Sequence, residues 1–189
     1  MLEVDLAGAR ETAGDIVAES DRLDQWVREL LLSARDDGAS PDAVDINGVI
    51  RQTLNGFVST MDRQGIALSL DTQEQLPPVR GNPAPLGEAF NTLVANALEA
   101  MPRGGALAVV SQLHPGRRAV EVRITDTGKG LSRESAKKAF RPFFTTKRNG
   151  LGLGLGLARR IVERHGGSLK LASAEGRGTT AILRIPIAL

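Results

Sequence analysis

Three glycines alternate with leucines directly before a helix predicted over residues 158–165: Gly150, Gly152 and Gly154. Glycine lets the backbone take a positive φ and approach a ligand closely. Backbone amides at the start of a helix attract anions, because the helix dipole and the unpaired N–H groups both favour negative charge. Lys147 adds a positive charge that can reach a phosphate. This stretch therefore indicates a phosphate-binding loop.

The spacing of this loop differs from the common nucleotide-binding motifs. The P-loop requires G-x-x-x-x-G-K-[ST] and the dinucleotide fingerprint requires G-x-G-x-x-G, whereas these three glycines alternate strictly. A flexible hinge between a loop and a helix is the alternative, since short glycine motifs often occur without a ligand. The motif alone leaves both possibilities open.

Two further polar positions could belong to the same site. Asn96 lies on the polar face of a helix predicted over residues 86–101, together with Glu88, Thr92 and Glu99. Asp126 ends a predicted buried strand and begins a tight loop that contains Gly128 and Gly130. A shared site requires the fold to bring both positions to the glycine loop.

The composition excludes several classes of protein. The 189 residues contain no cysteine and only two histidines, so disulfides are excluded and a zinc site is not expected. The formal net charge is +2 and aromatic residues make up 3%, so no nucleic-acid partner is expected. No apolar run reaches the roughly 18 residues of a membrane span, and no signal peptide is visible. We expect a cytoplasmic protein that makes no membrane contact through this fragment.

Residues 1–36 are predicted to form one long helix. Their apolar residues follow the 4-3 spacing of a heptad seam from Leu2 to Ala34, and charged residues lie off that seam. A helix with such a stripe needs a partner helix, so we expect a dimer; the alternative is a helix folded back on its own domain. Residues 37–44 contain several helix breakers and are predicted to form a linker.

Residues 45–189 alternate between helical and strand patterns. Asp45 is the expected N-cap of a helix that ends at Gly65. Further helices are predicted over residues 86–101, 132–140 and 158–165, and strands over 66–71, 79–80, 106–113, 119–126, 168–174 and 179–187. This order predicts a two-layer α+β fold, with a mixed sheet packed on helices.

Four motifs occur in one order along this domain. They are an N box at residues 91–101, a D-x-G-x-G box at 126–130, an F box at 140–147 and a glycine box at 150–155. In this order they resemble the catalytic, ATP-binding domain of sensor histidine kinases, in the GHKL superfamily with its Bergerat fold. The resemblance extends over residues 45–186, and residues 1–36 resemble the second helix of the dimerisation hairpin in such kinases.

The resemblance implies a role for each motif. Asp126 is similar to the carboxylate that accepts a hydrogen bond from the adenine amine, and Thr180 to the threonine that shares this contact. Asn96 is similar to the ligand of Mg²⁺, a cation that prefers oxygen ligands. The other ATP contacts implied are Gly128, Gly130, Thr146, Lys147, Gly150, Leu151, Gly152, Leu153 and Gly154. Without a ligand, Asp126 would only cap its turn and Asn96 would face water.

Residues 131–149, between the D-x-G-x-G and glycine boxes, resemble the mobile lid that covers ATP in this family. Phe143 and Phe144 are expected to anchor the lid through apolar contacts, or to lie in the ordinary core. Both interpretations place the two rings in apolar surroundings.

Two departures from the family pattern affect the expected chemistry. Thr92 stands four residues before Asn96, where the kinases carry a second asparagine and the ATPase relatives a general-base glutamate. A threonine hydroxyl cannot act as a base near neutral pH, so water activation for ATP hydrolysis is not expected. Neither histidine fits the phosphoacceptor, because His114 precedes a proline in a turn and His165 precedes a glycine at a helix end. Both are interpreted as surface residues.

The resemblance implies a protein-histidine kinase that binds Mg·ATP and transfers the γ-phosphate to a histidine located outside this chain. The expected partners are a second copy of the chain, the phosphoacceptor hairpin of the full-length kinase and a response regulator. The alternatives are a GHKL-type ATPase and a degenerate module that binds a nucleotide or a protein without catalysis.

Overall fold

The computed structural model describes residues 42–116, 118–147 and 150–188. The helix predicted over residues 1–36 and the first part of the predicted linker, residues 37–41, lie outside the described residues, so both stay predictions. Within the described ranges, no helix is long and apolar enough to cross a membrane.

Helices and strands are mixed along the chain. The helices are α1 (Ile46–Asn55), α2 (Val58–Gln64), α3 (Pro83–Glu99), α4 (Arg133–Lys138) and α5 (Gly154–Arg164). The strands are β1 (Asp42–Val44), β2 (Ile66–Thr72), β3 (Val79–Gly81), β4 (Gly105–Leu113), β5 (Ala119–Asp126), β6 (Ser168–Ser173) and β7 (Thr179–Pro186). The longer elements lie where the hydrophobic periodicity predicted them.

Among the described residues, five strands form one mixed sheet in the order β2-β4-β5-β7-β6. β2 runs parallel to β4, and the other neighbours are antiparallel. Alternate residues of each strand face the helices, and side chains such as Leu107, Ile124 and Leu183 are buried there. The predicted α+β fold, a mixed sheet packed on helices, is confirmed.

The apolar stripe of α3 lies in the core. Phe90, Leu93, Val94 and Ala97 are all buried, as their helical spacing predicted. Burial of each large apolar side chain contributes about 1.5–3 kcal/mol to stability. α1 and α5 both pack against α3. The core therefore holds α3, which carries Asn96, beside α5, whose first residues belong to the glycine box.

Side-chain capping determines where two of the helices begin. The carboxylate of Asp45 accepts from Asn47 N at 3.0 Å, which confirms the predicted N-cap of α1. α3 begins at Pro83, earlier than predicted, because the Asn82 side chain accepts from Ala84 N at 3.0 Å.

Two local features differ from the sequence expectation. The single helix expected up to Gly65 is divided into α1 and α2 at Gly56, since glycine inside a helix destabilises it by about 1 kcal/mol and permits a bend. Residues 42–44, expected in the linker, form β1, which pairs with β3. A three-residue strand has too little alternation to be recognised in the sequence, and its pairing partner lies far along the chain.

A buried ion-pair cluster lies on the sheet face that points away from the helices. Glu121 is 2% exposed and pairs with Arg123 and Arg184, each at 2.7 Å. Burial opposes ionisation of Glu121, but the hydrogen bonds and charges of Arg184 and Arg123 outweigh it. The pKa of Glu121 therefore lies below its ordinary value of 4.5.

We expect Glu121→Gln to lower the free energy of unfolding by about 1–2 kcal/mol near neutral pH, because two half-exposed arginines lose a buried charged partner. A lowered carboxyl pKa stabilises the fold fully above the unfolded value, and the contribution is lost as the pH falls through the folded pKa. The difference between variant and wild type should thus shrink in acid, as urea unfolding at a series of pH values would measure.

The control for this variant is Glu134→Gln. Glu134 forms an exposed i,i+4 pair with Lys138 on α4, so its loss should change the unfolding free energy by less than about 0.5 kcal/mol at any pH. A Glu121→Gln deficit that persisted unchanged into acid would contradict the role given to the Glu121 charge.

Candidate nucleotide-binding site

Asp126 lies at the end of β5 and is 5% exposed. Its Oδ1 accepts hydrogen bonds from the backbone N–H groups of Gly128, at 2.8 Å, and Thr179, at 3.2 Å. Burial raises the pKa of the Asp126 carboxyl above its ordinary value, although these amide hydrogen bonds oppose the shift. The carboxylate caps its own turn, and its position at a strand end also suits an acceptor for a base amine.

The D-x-G-x-G loop packs between the end of α3 and the turn that joins β6 to β7. Lys129 N donates to Ala100 O at 3.2 Å, and a Cβ atom at Gly128 would lie 2.6 Å from the same oxygen. Gly130 has φ +64°, and a Cβ atom there would lie 2.0 Å from the carbonyl oxygen of Ala174. Position 130 therefore requires glycine. The loop fixes Asp126 relative to the helix that carries Asn96.

Thr180 does not lie beside Asp126, contrary to the sequence expectation. Thr180 is paired with Thr125, and their hydroxyl oxygens are 3.1 Å apart on the opposite face of the sheet. The residue across from Asp126 is Thr179. Successive residues of a strand face opposite sides of the sheet, so one position along the chain changes the face. Thr179 therefore replaces Thr180 as the candidate threonine of the site.

Lys147 brings the F box to Asn96. Its Nζ donates to Asn96 Oδ1 at 2.5 Å and forms an ion pair with Glu99, near the C-terminal end of α3. Two side-chain oxygens of α3 thus hold a cationic group. Oxygen ligands of this kind suit Mg²⁺, so the donor set fits the expected magnesium site. The sequence placed Glu99 on the same polar face as Asn96 but assigned it no role.

The glycine box forms the N-terminus of α5. The helix begins at Gly154, before the predicted start, and Leu153 at the N-cap position makes no side-chain cap hydrogen bond. The first N–H groups of a helix have no partner within it, so they can bind an anion. A Cβ atom at Gly154 would lie 3.1 Å from Thr92 Cγ2. The glycine box and the N box are therefore neighbours.

The other expected contacts lie around this helix start. Half-buried positions are Gly150, Leu151, Gly152 and Leu153, whereas Thr146 is exposed. Thr145 Oγ1 accepts from Lys147 N at 3.0 Å and so shapes the approach of the lysine. The structure thus brings together Asn96, Lys147 and the glycine box, with the Asp126 loop against the end of α3.

The two phenylalanines expected to anchor the lid differ in their surroundings. Phe143 is 69% exposed and has φ +63°, so it neither anchors the segment nor lies in the core. Phe144 is half-buried. The ring that packs on the core is Phe140, with the Arg159 guanidinium 5.1 Å from its centroid. Which of the three rings faces inward depends on the path of the loop, which the sequence did not indicate.

Residues 81–189 match the family described as Histidine kinase-, DNA gyrase B-, and HSP90-like ATPase. This chain belongs to that family. The matched segment contains all four boxes and begins just before α3.

Curated relatives of this ATPase-family chain include sensor histidine kinases and sporulation kinases. It is 33% identical over 179 residues to the sensor histidine kinase ZraS of Escherichia coli (strain K12), covering 95% of this chain and 38% of that protein. It is 28% identical over 176 residues to sporulation kinase E of Bacillus subtilis (strain 168), covering 91% and 23%. The chain therefore spans less than half the length of these relatives.

Solved structures of histidine kinases share the fold of this family member. The catalytic domain of histidine kinase ThkA, in a nucleotide-free form, superposes with a TM-score of 0.70 at 29% identity, over 78% of this chain and 95% of that one. ThkA in complex with response regulator protein TrrA gives a TM-score of 0.79 at 26% identity, over 99% of this chain and 53% of that one.

Proposed function

We propose that this chain is the ATP-binding catalytic part of a sensor histidine kinase, which binds Mg·ATP and passes the γ-phosphate to a histidine on another segment or chain. The observation that carries the proposal is the convergence of the N box, the F box and the glycine box. Lys147 contacts Asn96, and Gly154 approaches Thr92 on the same helix. Phosphoryl transfer depends mainly on positioning and charge neutralisation, which such a cluster supplies.

The nucleotide would span the distance between Asp126 and the start of α5. The Asp126 carboxylate accepts a hydrogen bond from the adenine amine. The backbone amides of the glycine box and the Lys147 ammonium bind the phosphates. Thr179, which is paired with Asp126 across the sheet, is the candidate threonine for the base. Thr146 is exposed and would contact the phosphates only if the loop closed over them.

Asn96 would hold Mg²⁺ together with phosphate oxygens and water, and the metal would neutralise charge on the phosphates. In the described part of the chain, no group of three His, Asp or Glu side chains forms a complete metal site. The phosphates therefore have to supply ligands. Lys147 Nζ contacts Asn96 Oδ1 in this structure, so a bound Mg²⁺ would compete with it for that oxygen and leave the ammonium available to the phosphates.

The histidines of this chain are poorly suited to accept the phosphate. Asn82 N donates to His165 Nε2 at 3.1 Å, and His165 Nδ1 lies 2.7 Å from Ile161 O, so both ring nitrogens are engaged within the fold. His165 is thus half-buried between α3 and α5 and is not the surface residue expected from the sequence. His114 Nδ1 accepts from Gly116 N at 3.3 Å in a turn. An acceptor histidine from elsewhere, with a response regulator as the next recipient, completes the proposal.

Residues 1–36 would contribute to this assembly as the second helix of a dimerisation hairpin, which makes the working protein a cytoplasmic dimer. Sedimentation of the chain at high concentration tests the association, and a monomer there would remove this part of the proposal.

The assay uses γ-labelled ATP with Mg²⁺, following free phosphate and label on protein. We expect bound nucleotide with little phosphate release, and label on a phosphoacceptor hairpin from a kinase relative when it is added. Asn96→Ala should lower that transfer about 10- to 100-fold because a metal ligand is lost. Asn91→Ala is the matched control, since Asn91 is exposed on the same helix, and it should transfer label normally.

Steady phosphate release without an acceptor would favour the ATPase alternative. Thr92 argues against that outcome, because it supplies no general base and turns a methyl group toward the glycine box. Nucleotide binding with neither release nor transfer would favour the degenerate binding module.

A further inference from the structure

Three polar side chains form a row across β5, β7 and β6. Asp126 lies opposite Thr179, and Thr179 lies opposite Ser173. Residues paired across neighbouring antiparallel strands share one face of the sheet, so all three side chains lie on the Asp126 face. Ser173 is separated from Asp126 by 47 positions along the chain, so only the strand register brings the two residues together.

The Ser173 hydroxyl makes three contacts, which lie on two separate segments of the chain. Leu131 N donates to Ser173 Oγ at 2.8 Å, Ser173 Oγ lies 3.0 Å from Gly178 O, and it lies 2.8 Å from Thr179 Oγ1. Leu131 directly follows the D-x-G-x-G loop. One serine therefore ties that loop to the start of β7.

These contacts determine where the hydroxyl protons lie. Gly178 O can only accept, so the single Ser173 proton is donated to it. Ser173 Oγ already accepts from Leu131 N, and its second lone pair accepts the proton of Thr179 Oγ1. This is the arrangement that satisfies all three contacts. Thr179 is left with lone pairs that can accept a further hydrogen bond but with no proton to donate.

The backbone around these hydrogen bonds is tightly packed. A Cβ atom at Gly178 would lie 1.9 Å from Asp126 O, so the β7 start and the end of β5 are in direct backbone contact. Thr179 N also donates to Asp126 Oδ1. The backbone therefore fixes the position of the Thr179 hydroxyl relative to Asp126. The hydrogen bond to Ser173 fixes the direction in which the Thr179 O–H points.

We propose that Ser173 is a positioning residue that determines the choice of base. It accepts the hydrogen bond that the Thr179 hydroxyl donates, so Thr179 can act only as an acceptor beside the Asp126 carboxylate. This inference rests on the proposed function. Two acceptors favour adenine, whose exocyclic amine donates, over guanine, which presents a carbonyl oxygen at that position. Without Ser173, the Thr179 hydroxyl is free to rotate and to donate to the guanine carbonyl.

The test measures the affinities of the whole chain for ATP and GTP with Mg²⁺ by calorimetry. Ser173→Ala should lower the ATP-to-GTP affinity ratio about three- to tenfold, the effect of one hydrogen bond. Thr179→Val should lower the ratio as well. In the double variant, Ser173→Ala should cause no further fall, because it acts through the Thr179 proton.

Ser111→Ala is the matched control. Ser111 is a buried strand serine on β4 whose hydroxyl donates to Asn47 Oδ1 at 2.6 Å, away from Asp126. It should lose stability and keep the wild-type base preference. A fall of the ratio in this control would overturn the inference, since it would make the loss a general effect of destabilisation.

The outcomes separate this inference from the proposed function. If the wild-type chain binds neither ATP nor GTP, the inference and the proposed function are both wrong. The wild-type chain could instead bind ATP selectively while Ser173→Ala leaves the ATP-to-GTP affinity ratio unchanged, or while the losses add in the double variant. Either result overturns the inference and leaves the proposed function in place. If Ser173→Ala does not fold, Ser173→Cys replaces it, because a thiol is close in size to the hydroxyl but only a weak hydrogen-bond partner; an unchanged ratio overturns the inference and a lowered ratio supports it.

Discussion

Asp126→Asn should weaken ATP binding about 100-fold while the domain stays folded. Asparagine is close in shape, and its amide oxygen can keep the hydrogen bonds from Gly128 N and Thr179 N. Its NH₂ group then faces the adenine amine, so two donors meet in a buried position and neither finds a partner. Calorimetric titration with Mg·ATP measures the loss.

The stability of this variant gives an internal control. Burial raises the pKa of Asp126, so the ionised carboxylate is unfavourable in the folded state near neutral pH, and the fold gains stability as the pH falls through that raised pKa. Asparagine carries no charge, so Asp126→Asn should unfold at the same or a higher urea concentration than wild type. A variant that bound ATP as tightly as wild type would remove Asp126 from the site.

Gly152→Ala should also weaken ATP binding about 100-fold, by moving the glycine box. Gly152 has φ +71°, and a Cβ atom there would lie 2.4 Å from Phe144 O and 2.6 Å from Phe143 C. Those neighbours are backbone atoms, so the loop has to shift. A displacement of about 1 Å in groups that position a substrate can cost roughly 10²-fold.

Gly65→Ala separates backbone strain from this displacement. Gly65 ends α2 with φ +66°, and nothing lies within 4 Å of its Cβ position. Both variants place alanine in the left-handed region, which costs about 1–2 kcal/mol. Gly65→Ala should therefore lose a similar amount of stability in urea unfolding and bind ATP normally. Equal ATP affinities for the two variants would refute the role assigned to the Gly152 contact.

The sequence predicted the features that depend on neighbouring residues. The apolar stripe of α3 was recognisable because helical residues recur at intervals of three and four, and the strands of the sheet because their residues alternate. Asp45 was recognisable as an N-cap because a cap acts within one turn. The order of the four boxes indicated the ATPase family, which the match of residues 81–189 shows.

Tertiary structure decided which of these residues meet. Thr179 and Thr180 are the same residue type in succession, so only the pairing of β7 with β5 selects the one beside Asp126. Ser173 joins the site through strand register, and Glu99 through the reach of Lys147 from the F box. Phe140 packs inward and Phe143 outward because of the path of one loop.

The physical reason is the range of the forces involved. Periodicity, capping and glycine conformations are settled within a few residues, so this sequence by itself determined the α+β class, most helices and strands and the positions of the glycine loops. Contacts across strands and between loops depend on how distant segments pack into one core. Packing of the sheet against α3 and α5 decided the rest. It determined on which face of the sheet each threonine lies, which cation Asn96 contacts and how the hydroxyl protons around Ser173 are arranged.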